Sequence, residues 1–128
     1  MREILFRGKS VETGEWIYGL FVNDWETCYI FTLNEVAKGL DIGGYLDCCR
    51  MHEVIPETVG QYTGCSDKYG KKIFEGDIVR VRSKHLDYVI YVDGCFCMAK
   101  QAYCYEFTYQ DPETLEVIGN IHDNPGLA

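Results

Sequence analysis

Between Val59 and Cys95 the chain is cut at short intervals by glycine and aspartate: Gly60, Gly64, Asp67, Gly70, Gly76, Asp77, Asp93 and Gly94. Glycine enters left-handed backbone without steric cost, and aspartate accepts backbone N–H bonds in turns, so this punctuation marks corners. The runs between corners are too short for helices that could support parallel strands, and they alternate as strands do. Val79 and Val81 point one way while Arg80 and Arg82 point the other, the pattern of a half-buried strand. Asp87 to Val92 is apolar on both faces, with Tyr88, Ile90 and Val92 on one and Val89 and Tyr91 on the other. Asp93-Gly94 behind it is a strong hairpin signal that pairs Cys95 to Ala99 back onto it.

The rest of the chain follows the same rule. Ile4 to Phe6 is a short strand. From Trp16 to Val22, the side chains of Trp16, Tyr18, Leu20 and Val22 share one face, and Gly19 lies opposite among Ile17 and Phe21. Asn23-Asp24 is placed for a two-residue turn into a strand from Trp25 to Leu33. Asn34 is positioned to cap a single helical turn ended by Gly39, and residues 40 to 53 receive no assignment. Val54-Ile55-Pro56 is extended, with Pro56 confined to an edge or a strand start. Tyr103, Tyr105, Phe107 and Tyr109 alternate with Cys104, Glu106 and Thr108 before Asp111-Pro112, and the last strand is Leu115 to Ile121. The expected architecture is mainly β and antiparallel, with at most short helical turns. A β lobe covers about 1–58, a small SH3-like barrel about 59–122 and a short tail 123–128, all within one domain.

Composition narrows the function. The chain of 128 residues carries 12 Lys and Arg against 20 Asp and Glu, a formal charge of −8. Nucleic-acid binding draws most of its affinity from cations that release counterions from phosphates, so such a partner is not expected. No run nears the roughly 20 apolar residues of a membrane helix, and Glu3 spoils a cationic leader, so a cytoplasmic protein without a membrane partner is expected. Seven cysteines, an odd number scattered through a core-forming chain, point to thiols rather than a disulfide framework.

Three segments together resemble a known family. VIPETVGQYTGCSDKYGKKIFEGDIV (residues 54–79), REILFRGKSVETGEWIYG (2–19) and LEVIGNIHDNPGL (115–127) are similar to the YopX family of phage and prophage proteins. The resemblance implies a mainly β fold and a bacteriophage or prophage source, and it brings no established activity. Two departures stand out. Cys65 and Ser66 replace a larger apolar residue and a Lys, and Tyr69 stands where Asn commonly precedes the turn glycine. Asn tolerates left-handed backbone better than Tyr, so either Gly70 alone takes positive φ or the hairpin is strained.

Candidate chemistry is sparse. Cys48-Cys49 with His52, and Cys95 and Cys97 with Cys104, are the only clusters tight enough to suggest metal ligands, and neither has the paired spacing of structural zinc. A Cys nucleophile served by His52, His85 or His122 lacks a local signature. The acid pairs Glu75 with Asp77 and Asp111 with Glu113 lie in turns, where capping explains them, and no phosphate-binding glycine loop is present. The expectation is no enzyme, no cofactor and no metal. The stripe Tyr103, Tyr105, Phe107 and Tyr109 is the candidate interaction surface, tyrosine offering contact area with a polar handle. Sheet edges and aromatic patches predict a homo-oligomer, with a further host or phage protein as partner. The competing reading is a nucleic-acid-associated SH3-like module acting in phage DNA or RNA metabolism.

Overall fold

The computed structural model describes residues 3–33, 49–82, 85–92, 94–100 and 114–127. They form ten strands, all paired antiparallel, and two 3-10 turns, Pro56–Thr58 and Pro125–Leu127. No helix among the described residues is long and apolar enough to cross a membrane. The chain divides into two compact units, Ile4–Gln61 and Tyr62–Ala128 with Met1–Glu3, and the division falls inside one strand.

In the first unit β1 (Phe6–Lys9), β2 (Trp16–Asn23), β3 (Cys28–Leu33) and β4 (Cys49–Val54) run in the order β4-β3-β2-β1, and Phe6 and Arg7 pair with Gln61 and Gly60 at the start of β5 (Gly60–Ser66). The sheet curls. Ser10, just past β1, bridges Val54 at the end of β4, with Ile55 N–H donating to Lys9 O at 2.8 Å and Val11 N–H to Glu53 O at 3.0 Å. Two glycines permit it: a Cβ on Gly8 would lie 2.9 Å from Val54 Cβ, and one on Gly19 would run into the Phe31 carbonyl oxygen. Ile30 and Val54 are fully enclosed, and the Phe6 and Phe21 rings pack with centroids 5.4 Å apart. Thr58 ties the ends together, its Oγ1 donating to Ile55 O at 2.6 Å while accepting Lys9 N–H at 2.9 Å.

In the second unit the end of β5 pairs with β6 (Lys72–Phe74), and β7 (Asp77–Val81), β8 (His85–Val92), β9 (Cys95–Met98) and β10 (Leu115–Asn120) form a sheet ordered β10-β7-β8-β9. Ile73, Val79, Val81, Val89, Phe96, Met98 and Leu115 make its core, with Cys65 and Val117 against it. A register shift between Val117 and Gly119 bends β10 along β7.

Several expectations are corrected. The described strands of 59–122 form no closed barrel: β9 and β10 end the sheet on opposite sides. The turn after β5 lies along the outer edge of β10, Lys68 N–H donating to Leu115 O at 3.0 Å and Asp67 Oδ2 accepting Val117 N–H at 2.9 Å, so these two groups are not available to a closing strand. The ladder that bends back on itself lies instead in the first unit. Asn23-Asp24 is not a two-residue turn. Asn23 pairs with Cys28, because Asp24 Oδ1 accepts Glu26 N–H at 3.1 Å and Thr27 N–H at 2.9 Å and holds a four-residue loop. Trp25 therefore leaves the strand. The first strand begins at Phe6 rather than Ile4, and Ile78 is as buried as Val79, so the start of β7 is covered on both faces. The helical turn expected from Asn34 to Gly39 and the strand from Tyr103 to Tyr109 lie outside the described residues.

Candidate functional site

The punctuating residues come first, because the central motif carries most of them. Gly64, Gly70, Gly76 and Gly94 all take positive φ, between 82 and 92°, while Gly60 is a buried strand residue opposite Arg7. Gly70 meets the need of its turn alone. The one described residue other than glycine with positive φ is Arg82, at 52°, so Tyr69 adds no backbone strain. Asp67 is 7% exposed and works on three backbone groups. Its Oδ1 accepts Tyr69 N–H and Lys71 N–H, each at 2.9 Å, and its Oδ2 accepts Val117 N–H at 2.9 Å on β10. Burial pushes this carboxyl up, but the N–H groups of Val117, Lys71 and Tyr69 and the Lys71 charge together outweigh it and hold Asp67 below the ordinary aspartate value. Asp77 Oδ2 accepts Phe74 N–H at 2.7 Å across the Glu75-Gly76 corner. Asp93 lies outside the described residues.

Asp87 is the residue that sequence reasoning missed. It is 1% exposed, and its Oδ1 accepts Tyr88 N–H at 2.8 Å and Lys100 N–H at 2.9 Å, fastening the end of β9 to β8. Its Oδ2 is buried without a hydrogen-bond partner. The available signal was an acid heading the face that Val89 and Tyr91 continue. All these aspartates bind backbone, which is the chemistry of scaffolding.

Tyr103, Tyr105, Phe107 and Tyr109 lie outside the described residues. Large apolar side chains meet solvent instead on the first unit. Tyr18, Leu20 and Val22 alternate along β2 and Met51 lies on β4, each about half exposed. Cross-strand register places Leu20, Phe31 and Met51 in one row and Val22, Tyr29 and Glu53 in the next, on the face away from Ile30. Trp25 is 101% exposed at the tip of the β2–β3 loop. The loop is firm: besides its two side-chain bonds, Asp24 N–H donates to Thr27 O at 3.0 Å. The backbone N–H groups of Glu26 and Thr27 lower the Asp24 pKa.

Beside β4, a cavity of about 190 Å³ is lined by Ser10, Val11, Glu12, Met51, His52 and Glu53. Ser10 Oγ shapes its wall by accepting Glu12 N–H at 3.2 Å and Thr13 N–H at 3.1 Å. His52 Nε2 lies 3.2 Å from Thr32 Oγ1, and His85 is exposed at the start of β8. His122 sits beside Gly76, its Nε2 3.4 Å from where a Cβ would be. Cys28, Cys65, Cys95 and Cys97 are thiols, and Cys48 and Cys104 lie outside the described residues. No group of three or more His, Cys, Asp or Glu among the described residues is arranged to hold a metal ion.

Comparison with known proteins agrees on one family and adds a fold. The family model described as YopX protein matches residues 5–128. A solved structure titled "Crystal structure of protein EF1440 from Enterococcus faecalis" is similar at 22% identity with a TM-score of 0.57, covering 99% of this chain and 99% of that one. At that identity the likeness is one of fold. No curated protein matches.

Proposed function

Since this chain belongs to the YopX family, whose model spans nearly its whole length, we propose that it is a phage or prophage accessory protein acting as a non-enzymatic, self-associating protein-interaction module in the host cytoplasm. The observation that carries the reading is the outer face of the first unit, where Leu20, Val22 and the Trp25 tip stand in solvent on a curled, firmly capped sheet. A contiguous apolar patch of this kind marks an interface more often than a chance exposure. Trp and Tyr dominate the energetics of such surfaces. The second copy of the chain is the proposed occupant, because the same Leu20, Val22 and Trp25 on two copies offer each other apolar area to bury. The non-enzymatic part is supported by Asp67, Asp77 and Asp87, whose carboxylates are engaged by backbone N–H groups of turns and strand ends.

Light scattering at micromolar concentration tests it. A native mass that is a multiple of the 14.7 kDa chain is expected, and a mass of one chain would overturn self-association.

A further inference from the structure

The charge of the molecule is unevenly placed. Residues 68–82 carry five cationic side chains against two acids, a local charge of +3 in a chain of −8. One of the acids, Asp77, is buried on Phe74 N–H. Of the cations, Lys72 is paired with Glu3 at 3.4 Å and Arg80 with Glu116 at 3.0 Å. Lys68, Lys71 and Arg82 are exposed and form no ion pair among the described residues.

These three cations come together at one end of the β10-β7-β8-β9 sheet. Lys68 N–H donates to Leu115 O at 3.0 Å and Arg82 N–H to Thr114 O at 2.8 Å, so their backbones flank the start of β10 from its two sides. Two strand spacings, about 10 Å, separate them. Lys71 closes the turn that bears Lys68, its carbonyl accepting Asp67 N–H at 2.8 Å and its own N–H donating to Asp67 Oδ1 at 2.9 Å. At the tip the Tyr69 ring is 73% exposed, with Lys68 Nζ 5.2 Å from its centroid. Asp67 and Gly70 make this turn, which leaves the ring and the ammonium groups to a partner.

We propose that this turn, with Arg82 across β10, is a binding site for single-stranded nucleic acid. An unpaired base stacks on the Tyr69 ring, and the phosphates beside it meet Lys68, Lys71 and Arg82. A duplex offers the ring no free base face, and a run of Asp and Glu has no ring to set against it. Bases and phosphates are common to DNA and RNA, so both carry the chemistry that this site reads. The chain-wide charge of −8 does not forbid the contact, because at about 0.1 M ionic strength exposed charges beyond about 10 Å are largely screened and the local cations dominate. The site does not rest on the interaction-module reading: it lies in the second unit, and self-association uses a face of the first.

The test titrates fluorescein-labelled oligothymidylate and oligouridylate with the full chain and reads anisotropy. Both are expected to bind with a Kd of about 10⁻⁵ M at about 0.1 M salt, and log Kd to rise with log salt at a slope of about 2, the value for three phosphates on a single strand. Lys68→Gln and Lys71→Gln each lower that slope by about 0.7. Tyr69→Ala weakens binding about tenfold with the slope unchanged, and Tyr69→Phe keeps the wild-type affinity. All four variants replace exposed side chains, so each is expected to keep the wild-type urea midpoint. Tighter binding of one oligonucleotide names DNA or RNA as the source and upholds the site. Binding of neither, equal affinity for a duplex of the same length, undiminished binding by Tyr69→Ala, or a slope unmoved in both lysine variants overturns the proposal. Displacement of the oligonucleotide by polyglutamate at equal charge also overturns it, because that assigns the turn to acidic protein segments. A wild-type chain that is monomeric yet binds the oligonucleotides refutes self-association and leaves this site standing.

Discussion

The two units put their apolar side chains to opposite uses. Among the described residues, only Ile30 and Val54 of the 13 buried hydrophobic ones belong to the first unit, whereas seven of the 11 exposed large hydrophobics do, from Ile4 to Met51. Their buried polar groups differ as well. The second unit encloses Asp67, Asp77 and Asp87, while the first encloses Ser10, Thr58 and Arg7 and no acid among its described residues. A buried carboxylate is costly unless donors or a cation face it, and backbone N–H groups bond to each of the three aspartates, which favours a rigid, well-packed setting. Hydroxyls make weaker demands and suit a thin curled sheet. One unit thus holds most of the stabilising core, and the other supplies most of the surface by which the protein can meet others.

The sharpest way to break this contrast is a cavity in the second unit. Leu115 is 2% exposed among Val79, Val81 and Met98. Leu115→Ala is expected to lower unfolding free energy by about 3 kcal/mol in urea denaturation, the usual range for a buried Leu. A loss below about 1 kcal/mol would mean that this sheet is not where the stability resides.

Asp67 comes next. Asp67→Asn replaces one acceptor oxygen by a donor, leaving Val117 N–H or the turn N–H groups without a partner, and is expected to cost about 2 kcal/mol at neutral pH. The pH dependence fixes the sign. The folded-state pKa is lowered, so the native state binds fewer protons than the unfolded one as the pH falls towards the ordinary aspartate range. Stability from this group is therefore complete above its unfolded pKa and is lost as the pH falls through its folded pKa. Urea midpoints measured from neutral to strongly acidic pH should fall less steeply in the Asn variant than in the wild type. Parallel curves would show that the carboxylate is not held by its three N–H donors.

These residues also show where sequence reasoning reaches. The corner at Asp67 to Gly70 was legible because its two turn bonds span at most four residues and the residue types dictate them. Its third bond, to Val117, joins positions 50 apart, and nothing local announces it. The two faces of β2 were separated correctly, but both are apolar, so alternation alone did not show that Leu20 and Val22 point outward. Strand preference puts Trp25 in a strand, whereas Asp24, capping two N–H groups, decides the loop. No closed barrel forms among the described strands, and the curl lies in the first unit because it depends on close approaches, Gly8 to Val54 and Gly19 to Phe31, that only the register creates.

A gain of stability is expected at the one described residue other than glycine that takes left-handed backbone. Arg82 sits at φ 52° after β7, with its N–H donating to Thr114 O at 2.8 Å, so its backbone is fixed there. Arg82→Gly removes the Cβ penalty of left-handed backbone, and part of that gain is offset by the greater freedom of the unfolded chain. The net expectation is about 0.5 kcal/mol more stable by urea denaturation. A loss of similar size would mean that the arginine side chain contributes more than the strain removes.

The smallest stability effect tests the other side of the contrast. Leu20 is 53% exposed on β2, and Trp25 is wholly exposed on a loop held by Asp24 rather than by the indole. Neither ring nor branched chain fills a core, so replacing both by serine should shift the unfolding free energy by less than about 0.5 kcal/mol. The same double variant removes the apolar centre of the proposed interface, where truncating an anchor typically costs more than 1 kcal/mol of association. Its native mass in light scattering should therefore drop towards one chain while its urea midpoint stays in place. If instead both quantities fall together, Leu20 and Trp25 are part of what holds the first unit folded, and the separation of core from contact surface fails at that face.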